Sequence, residues 1–435
     1  MFLVNSFETL LQPLAVVMTQ PSFTNFVTLV TGWVFARRRT VTQMIVAAGA
    51  VGTKHHSAYH RLFAAARWSR DRVGLIVLDM IYPFLEDTVF LALDDTLARK
   101  RGLKMFGTAM HHDPLLSSRG KTVTNWGHSW VVVGVVVRFP LWPDRPFCLP
   151  VLFRLYLGKK RASQARRAYR TRPELAVEML RMVCRHRRTW HFHVVADSAY
   201  GGQSVLKPLP ENCDLTSRLG LNARLYQAAP PRKPGQRGRS RKRGDRLPTP
   251  QEMLDARARR LCLEIYGRRE YARVCDTEAR VYAVPERPLR VVAVEALQGG
   301  RGREAFYSTC HAAIPTDILT WYAWRWSVEV TFHDAKQHLG FEEPQGWTRK
   351  AVERTAPTAM LLYSLIVLWF VQEGHRHYRE WSLPWYPTKE HPSFRDMLIT
   401  LRRVSIRQYF LRLGVSGRGS KKALEALENV VGIAA

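Results

Sequence analysis

The chain has 435 residues, 46% of them hydrophobic, with 66 Lys and Arg against 36 Asp and Glu, a net charge of +30. That length suggests roughly two to three domains, and the apolar content excludes a disordered chain. The positive field points to a polyanionic partner, nucleic acid ahead of an anionic membrane surface.

Six cysteines without a CxxC pair read as reduced core thiols of a cytosolic protein rather than a disulfide framework. The first residues lack a basic leader and are interrupted by Glu8, so no signal peptide is expected. Residues 1–87 read as a helical region. An apolar helix from Val41 to Ala48 is followed by Gly49 and Gly52, then by a second helix through Tyr59, Leu62 and Phe63 that Thr53 can cap. With Arg37, Arg38 and Arg39 upstream, this pair is either a DNA-reading element or an ordinary helical hairpin.

From residue 88 the pattern changes. Val89–Leu93, Ser129–Phe139 and Phe147–Tyr156 read as three strands of an antiparallel meander with the first at the sheet centre. A helix from Pro173 to about Arg187 and a strand His193–Ala196 follow. That order opens a ribonuclease-H-like α/β fold, a mixed sheet flanked by helices, in a catalytic unit of residues 88–202 and 311–373. Between its halves, residues 203–310 read as a β-rich insertion. It carries a basic stretch, 230–250, with Arg232, Lys233, Arg237, Arg239, Arg241, Lys242, Arg243 and Arg246 against Asp245 alone. Prolines, glycines and like charges keep it from packing, and phosphates suit it better than bare solvent. Thr316 is expected to cap a helix continuing to Leu339, where Gly340 ends it. The apolar run Ala359–Val371 reads as a buried core helix, too short for a membrane span. Residues 374–435 form a helical C-terminus.

Three acids stand out. Asp94 ends one apolar strand and Asp197 another, so both project from one sheet edge; Glu329 lies on a helix that can pack beside it. Carboxylates suit Mg²⁺, and two such ions can activate an attacking oxygen and stabilise a leaving one. On the helix, Tyr322, Arg325, Glu329 and Lys336 fall on one face, an acid flanked by groups suited to phosphate. Either Asp alone, however, is as easily a turn or cap residue, and the helix as easily a salt-bridged surface helix. The paired and grouped histidines lack companions at zinc-ligand spacing. No GxxxxGK[ST] loop is present, so ATP has no support.

Tyr322, Arg325, Glu329 and Lys336, spaced Tyr-x-x-Arg-x-x-x-Glu-x-x-x-x-x-x-Lys, resemble the third-acid motif of a branch of bacterial insertion-sequence DDE transposases. LALDDT resembles that branch's first acid motif, and its Thr two residues on selects Asp94 over Asp95. VVADSAYG resembles the second, selecting Asp197. The resemblance covers about residues 88–345. It implies a transposase holding two Mg²⁺ (or Mn²⁺) on Asp94, Asp197 and Glu329. Its expected partners are double-stranded element ends and target DNA, gripped by Tyr322, Arg325, Lys336 and the basic loop. A homodimer in the DNA complex, a cytoplasmic, nucleoid-associated place of work and no membrane partner are further expectations. The alternative is an inactive, domesticated DNA-binding relative. Relatives that cut through a hairpin can hold a flipped base with a Trp of the insertion. Residues 203–305 contain none, leaving Tyr226, Tyr266, Tyr271 and Tyr282, or a different end-processing route.

Overall fold

The computed structural model describes residues 2–113, 116–118, 120–232, 238–265, 268–297, 302–378, 389–413 and 423. In chain order, helices α1 (Asn5–Leu11), α2 (Gln20–Phe35), α3 (Val41–Ala47), α4 (His56–Ala64) and α5 (Arg70–Ile81) precede the sheet. Strands β1 (Thr88–Arg99), β2 (Ala109–His112), β3 (Thr124–Arg138) and β4 (Pro146–Tyr156) lead to α6 (Lys159–Gln164), α7 (Arg172–His186) and β5 (His191–Ala196). Then come α8 (Gln203–Leu206), β6 (Cys213–Leu219), β7 (Leu225–Tyr226), β8 (Arg246–Leu247) and α9 (Pro250–Arg257). Strands β9 (Arg259–Ile265), β10 (Arg268–Val281), β11 (Val284–Ala296) and β12 (Arg303–Ser308) precede α10 (Pro315–Trp324), α11 (Trp326–Leu339), α12 (Arg349–Gln372) and α13 (Phe394–Arg412).

Five strands, in the order β4-β3-β1-β5-β6, form the ribonuclease-H-like core. β1 is antiparallel to β3 and parallel to β5, and β5 is parallel to β6. Strands covered on both faces must be apolar at nearly every position. Val131–Val137 of β3 and Leu91–Leu93 of β1 satisfy this, all of them buried. The strands of 203–310 form no sheet of their own. β12 pairs with β6, and β11, β10, β7 and β8 continue outward, so the described strands make one twelve-stranded sheet. Tyr271–Cys275 and Ala279–Val281 belong to one strand, β10, interrupted only by a bulge at Ala279/Val281.

α7 opens with a capping box. The Thr171 hydroxyl accepts from the Glu174 N–H, and the Glu174 carboxylate accepts from the Thr171 N–H. Thr53, expected to cap α4, instead bonds the Ala50 carbonyl and the Tyr59 hydroxyl, and His55 takes the cap. Gly340 ends α11 in the left-handed conformation, φ 59°, as the expected C-cap. Of the cysteines, Cys148, Cys184, Cys213 and Cys275 are buried free thiols, whereas Cys262 is exposed.

α12 begins ten residues before the run expected of it, despite Pro357. It is long and apolar enough to cross a membrane by length and composition, yet 94% of its apolar window is buried inside the protein. Pro357 has no N–H to give the Glu353 carbonyl. Arg70 fills that place, its Nη1 donating to the carbonyl at 2.9 Å. One turn away, Arg354 donates to the carbonyls of Leu62, Phe63, Ala66 and Trp68, and its guanidinium lies over the Trp68 ring. One buried side chain therefore satisfies the C-terminal carbonyls of α4 and the turn after it. Replacing Arg354 with Met should lower stability by about 3 kcal/mol, since the carbonyls lose their donor out of reach of water. Urea unfolding monitored by tryptophan fluorescence measures this; an unchanged midpoint would show that the contacts carry no stability.

Candidate active site

Asp94 and Asp95 occupy consecutive positions of β1 and so point to opposite faces of the sheet. Leu93 pairs with Ala196 of β5 as the last partners of the parallel ladder. Asp94 and Asp197 are each the next residue, and their side chains start from neighbouring positions at the edge. Asp197 caps the short turn Ser198–Tyr200, its Oδ1 accepting from the Ser198 N–H at 2.7 Å. Its Oδ2 has no hydrogen-bond partner among the described residues. The turn is tight. A Cβ on Gly201 would lie 2.4 Å from the Ser217 hydroxyl, and the Tyr307 hydroxyl donates to the Gly201 carbonyl at 2.6 Å.

The two acids of β1 differ in their partners. Asp95 accepts from the buried Tyr200 hydroxyl at 2.7 Å and pairs with Arg172 at 3.3 Å. Asp94 points to the α11 face, where Arg325 Nη1 donates to its Oδ2 at 2.7 Å. The same guanidinium donates through Nη2 to Glu329 Oε1, also at 2.7 Å. Burial pushes the Asp94 carboxyl up to about 7 against the pull of Arg325, with Asp95 and Glu329 adding repulsion. Asp95 is thus a tethered structural acid, and Asp94 stands with Glu329 around one cation.

The expected continuous helix from Thr316 to Leu339 is two helices. α10 starts at Pro315, where the Asp317 carboxylate accepts from the Ile314 N–H. The chain then turns at Arg325, whose N–H bonds the Tyr322 carbonyl and whose carbonyl accepts from Val328, three residues apart in each case. That break corrects the expected single stripe. Tyr322 belongs to α10, packs its ring tilted against Phe306 with centroids 4.5 Å apart, and lies beneath the Arg325 guanidinium. Burial raises its hydroxyl pKa, with Arg325 lowering it and Asp197 raising it. Lys336 is apart from the acids; its charged neighbours are Glu342, Arg99 and Asp113, and burial lowers its pKa.

Of the basic loop, Lys233 and Arg237 lie outside the described residues, as does Tyr266. Arg232, Arg239, Arg241, Lys242 and Arg243 are exposed. The Arg243 guanidinium sits between two rings of the insertion, 4.4 Å from Tyr226 and 4.9 Å from Tyr282. With Arg239, Arg241 and Lys242 it borders an open cavity of about 410 Å³. Tyr271 is covered by Arg260. The roles of Arg172 and Tyr200 beside Asp95 were not legible in the sequence, because each acts across a long chain separation; only the Tyr-Gly after Asp197 hinted at the second.

Among the described residues, no three His, Cys, Asp or Glu side chains are gathered as a ready metal site. The donor chemistry nevertheless fits a hard cation. Two carboxylates already converge on a positive group, the Arg325 guanidinium standing in for it, and a third, Asp197, has a free oxygen at the adjoining register position. Ions could be shared only once Arg325 leaves the bridge.

A family model described as DDE superfamily endonuclease matches residues 24–273, which include Asp94 and Asp197 and stop before Glu329. No curated protein matches the chain. Among solved structures, the cryo-EM piggyBac transposase synaptic complex with hairpin DNA aligns over 94% of this chain and 75% of that one, at 11% identity and a TM-score of 0.40. With more than half its length matched by that family model, and both acids at the edge of a ribonuclease-H-like sheet, the chain belongs to the DDE superfamily endonucleases.

Proposed function

We propose that this endonuclease is a cut-and-paste DNA transposase of the bacterial insertion-sequence branch. A water cleaves a phosphodiester at the element end, and the freed 3′-hydroxyl joins to target DNA. The observation that carries the reading is the register of β1 against β5, which sets Asp94 beside Asp197, with Glu329 tied to Asp94 through Arg325. Asp94, Asp197 and Glu329 would hold two Mg²⁺, with Mn²⁺ able to replace them. When bound, such ions polarise the phosphodiester and make water or a 3′-hydroxyl a better nucleophile.

The chain's own residues position the DNA. Arg325, released from its carboxylates, offers a forked donor pair to phosphate oxygens, and Tyr322 supports its guanidinium from below. Lys336, without a hydrogen bond or ion pair among the described residues, offers a point charge further along α11. The exposed bases of the 230–250 loop and the N-terminal helices of 1–87 grip the duplex, and two copies of the chain hold the paired ends.

Replacing Glu329 with Gln should cut nicking of element-end DNA by about a thousandfold, roughly 4 kcal/mol of transition-state stabilisation. The Kd for that DNA should stay within about threefold, because phosphate contacts set it. Nicking by the variant at the parent rate removes Glu329 from the mechanism; a parent that binds but never nicks favours the domesticated relative. Chelation by EDTA should abolish nicking and added Mg²⁺ or Mn²⁺ restore it, as followed on supercoiled plasmid. Cleavage that persists in EDTA counts against the carboxylate–metal reading.

A further inference from the structure

Between β4 and α7 the chain reads GKKRASQARRAYRTR, residues 158–172, with seven bases and no acid. β4 is antiparallel to β3, as β1 is, so β1 and β4 run the same way and this segment leaves the sheet at the edge that carries Asp94. It ends at Arg172, which pairs with Asp95 at 3.3 Å and donates to the Ser129 hydroxyl at 3.1 Å. Its first part, α6, walls an open trough of about 410 Å³. The floor is Met110 of β2 and Trp126 of β3, which are register partners, and Lys159, Lys160 and Arg161 line the side. Arg161 is fixed there, donating to the Thr108 carbonyl at 2.9 Å and lying over the Trp126 ring.

The turn after α6 holds Arg166 at φ 52°, the one left-handed non-glycine among the described residues. Such a conformation is costly for an arginine and persists where the surroundings demand it. Arg167 and Arg170 are spent on Glu353 and Glu178. The side chains of Lys160 and Arg166 are exposed and make no hydrogen bond or ion pair among the described residues. Lys160 lines an aromatic-floored trough and Arg166 follows two residues beyond the helix that walls it, two uncompensated cations at the end of the sheet where β4 leaves and β1 carries its acids, as a phosphodiester backbone requires.

We propose that residues 159–166 form a phosphate track for duplex DNA, separate from the 230–250 loop, that leads the strand toward the carboxylate edge. The proposal rests on the transposase reading for its partner, and its test is binding alone. Affinity for a 40-base-pair duplex is measured against salt for the parent, for K160Q/R166Q, and for K207Q/R185Q, which removes two exposed charges elsewhere. Thermal melting checks that each protein is folded. The K160Q/R166Q protein should lose about two from the slope of log K against log [salt] and roughly tenfold in affinity near 0.1 M salt, while K207Q/R185Q changes little. Equal losses in both double variants, or none in K160Q/R166Q, overturn the track. A parent that binds no duplex overturns the transposase reading itself.

Discussion

The parallel pairing of β1 with β5 is the constraint on which the rest depends. A parallel pair is sheltered on both faces, so neighbouring elements must supply apolar cover: α11 packs on β1 and α10 on β5, while α7 and α12 cover the adjoining β3 and β4. Because the two strands run the same way, the residues after their last shared pair sit side by side where the parallel ladder ends: Asp94, with β1 continuing against β3 to Arg99, and Asp197, where β5 stops. A register slip of one would send Asp94 to the α7 face, among the partners that now hold Asp95. Core packing and the placement of the acids are thus the same requirement.

Charge at that edge is balanced internally. Asp94 and Glu329 would repel each other in a low-dielectric setting, and Arg325 relieves this by forking between them. Arg325 stands at the break between α10 and α11, where it meets Glu329 four residues on and Asp94 across from β1. On the proposed function the guanidinium would have two competing uses, as counter-ion to the carboxylates, which the structure shows, and as a donor to phosphate.

Much of this was legible in the sequence because it is written in local pattern. Apolar runs ending in Asp marked β1 and β5, and valine-rich β3 marked the doubly covered interior. The left-handed Gly340 ended α11 as its position predicted. What escaped notice depends on distant partners. The break at Arg325 carries no proline or glycine to announce it, and the residue at the break is the one that forks to Asp94 and Glu329. Helix α12 tolerates Pro357 because Arg70 fills the vacated hydrogen bond, a substitution that no windowed pattern reveals. The strands of 203–310 read as a separate unit because strand signals carry no pairing address; β6 and β12 join them to the core sheet instead.

That junction has a mechanical meaning. From β4 to β8 the backbone ladder is unbroken, so Arg243, braced by tyrosines beside the outermost strands, and the interior strands β1 and β5 that carry the acids are parts of a single plate. A plate of this kind bends as a whole and has no joint at the boundary of the insertion. On the proposed function, a duplex seated across it would meet one continuous surface and would itself have to bend to follow it.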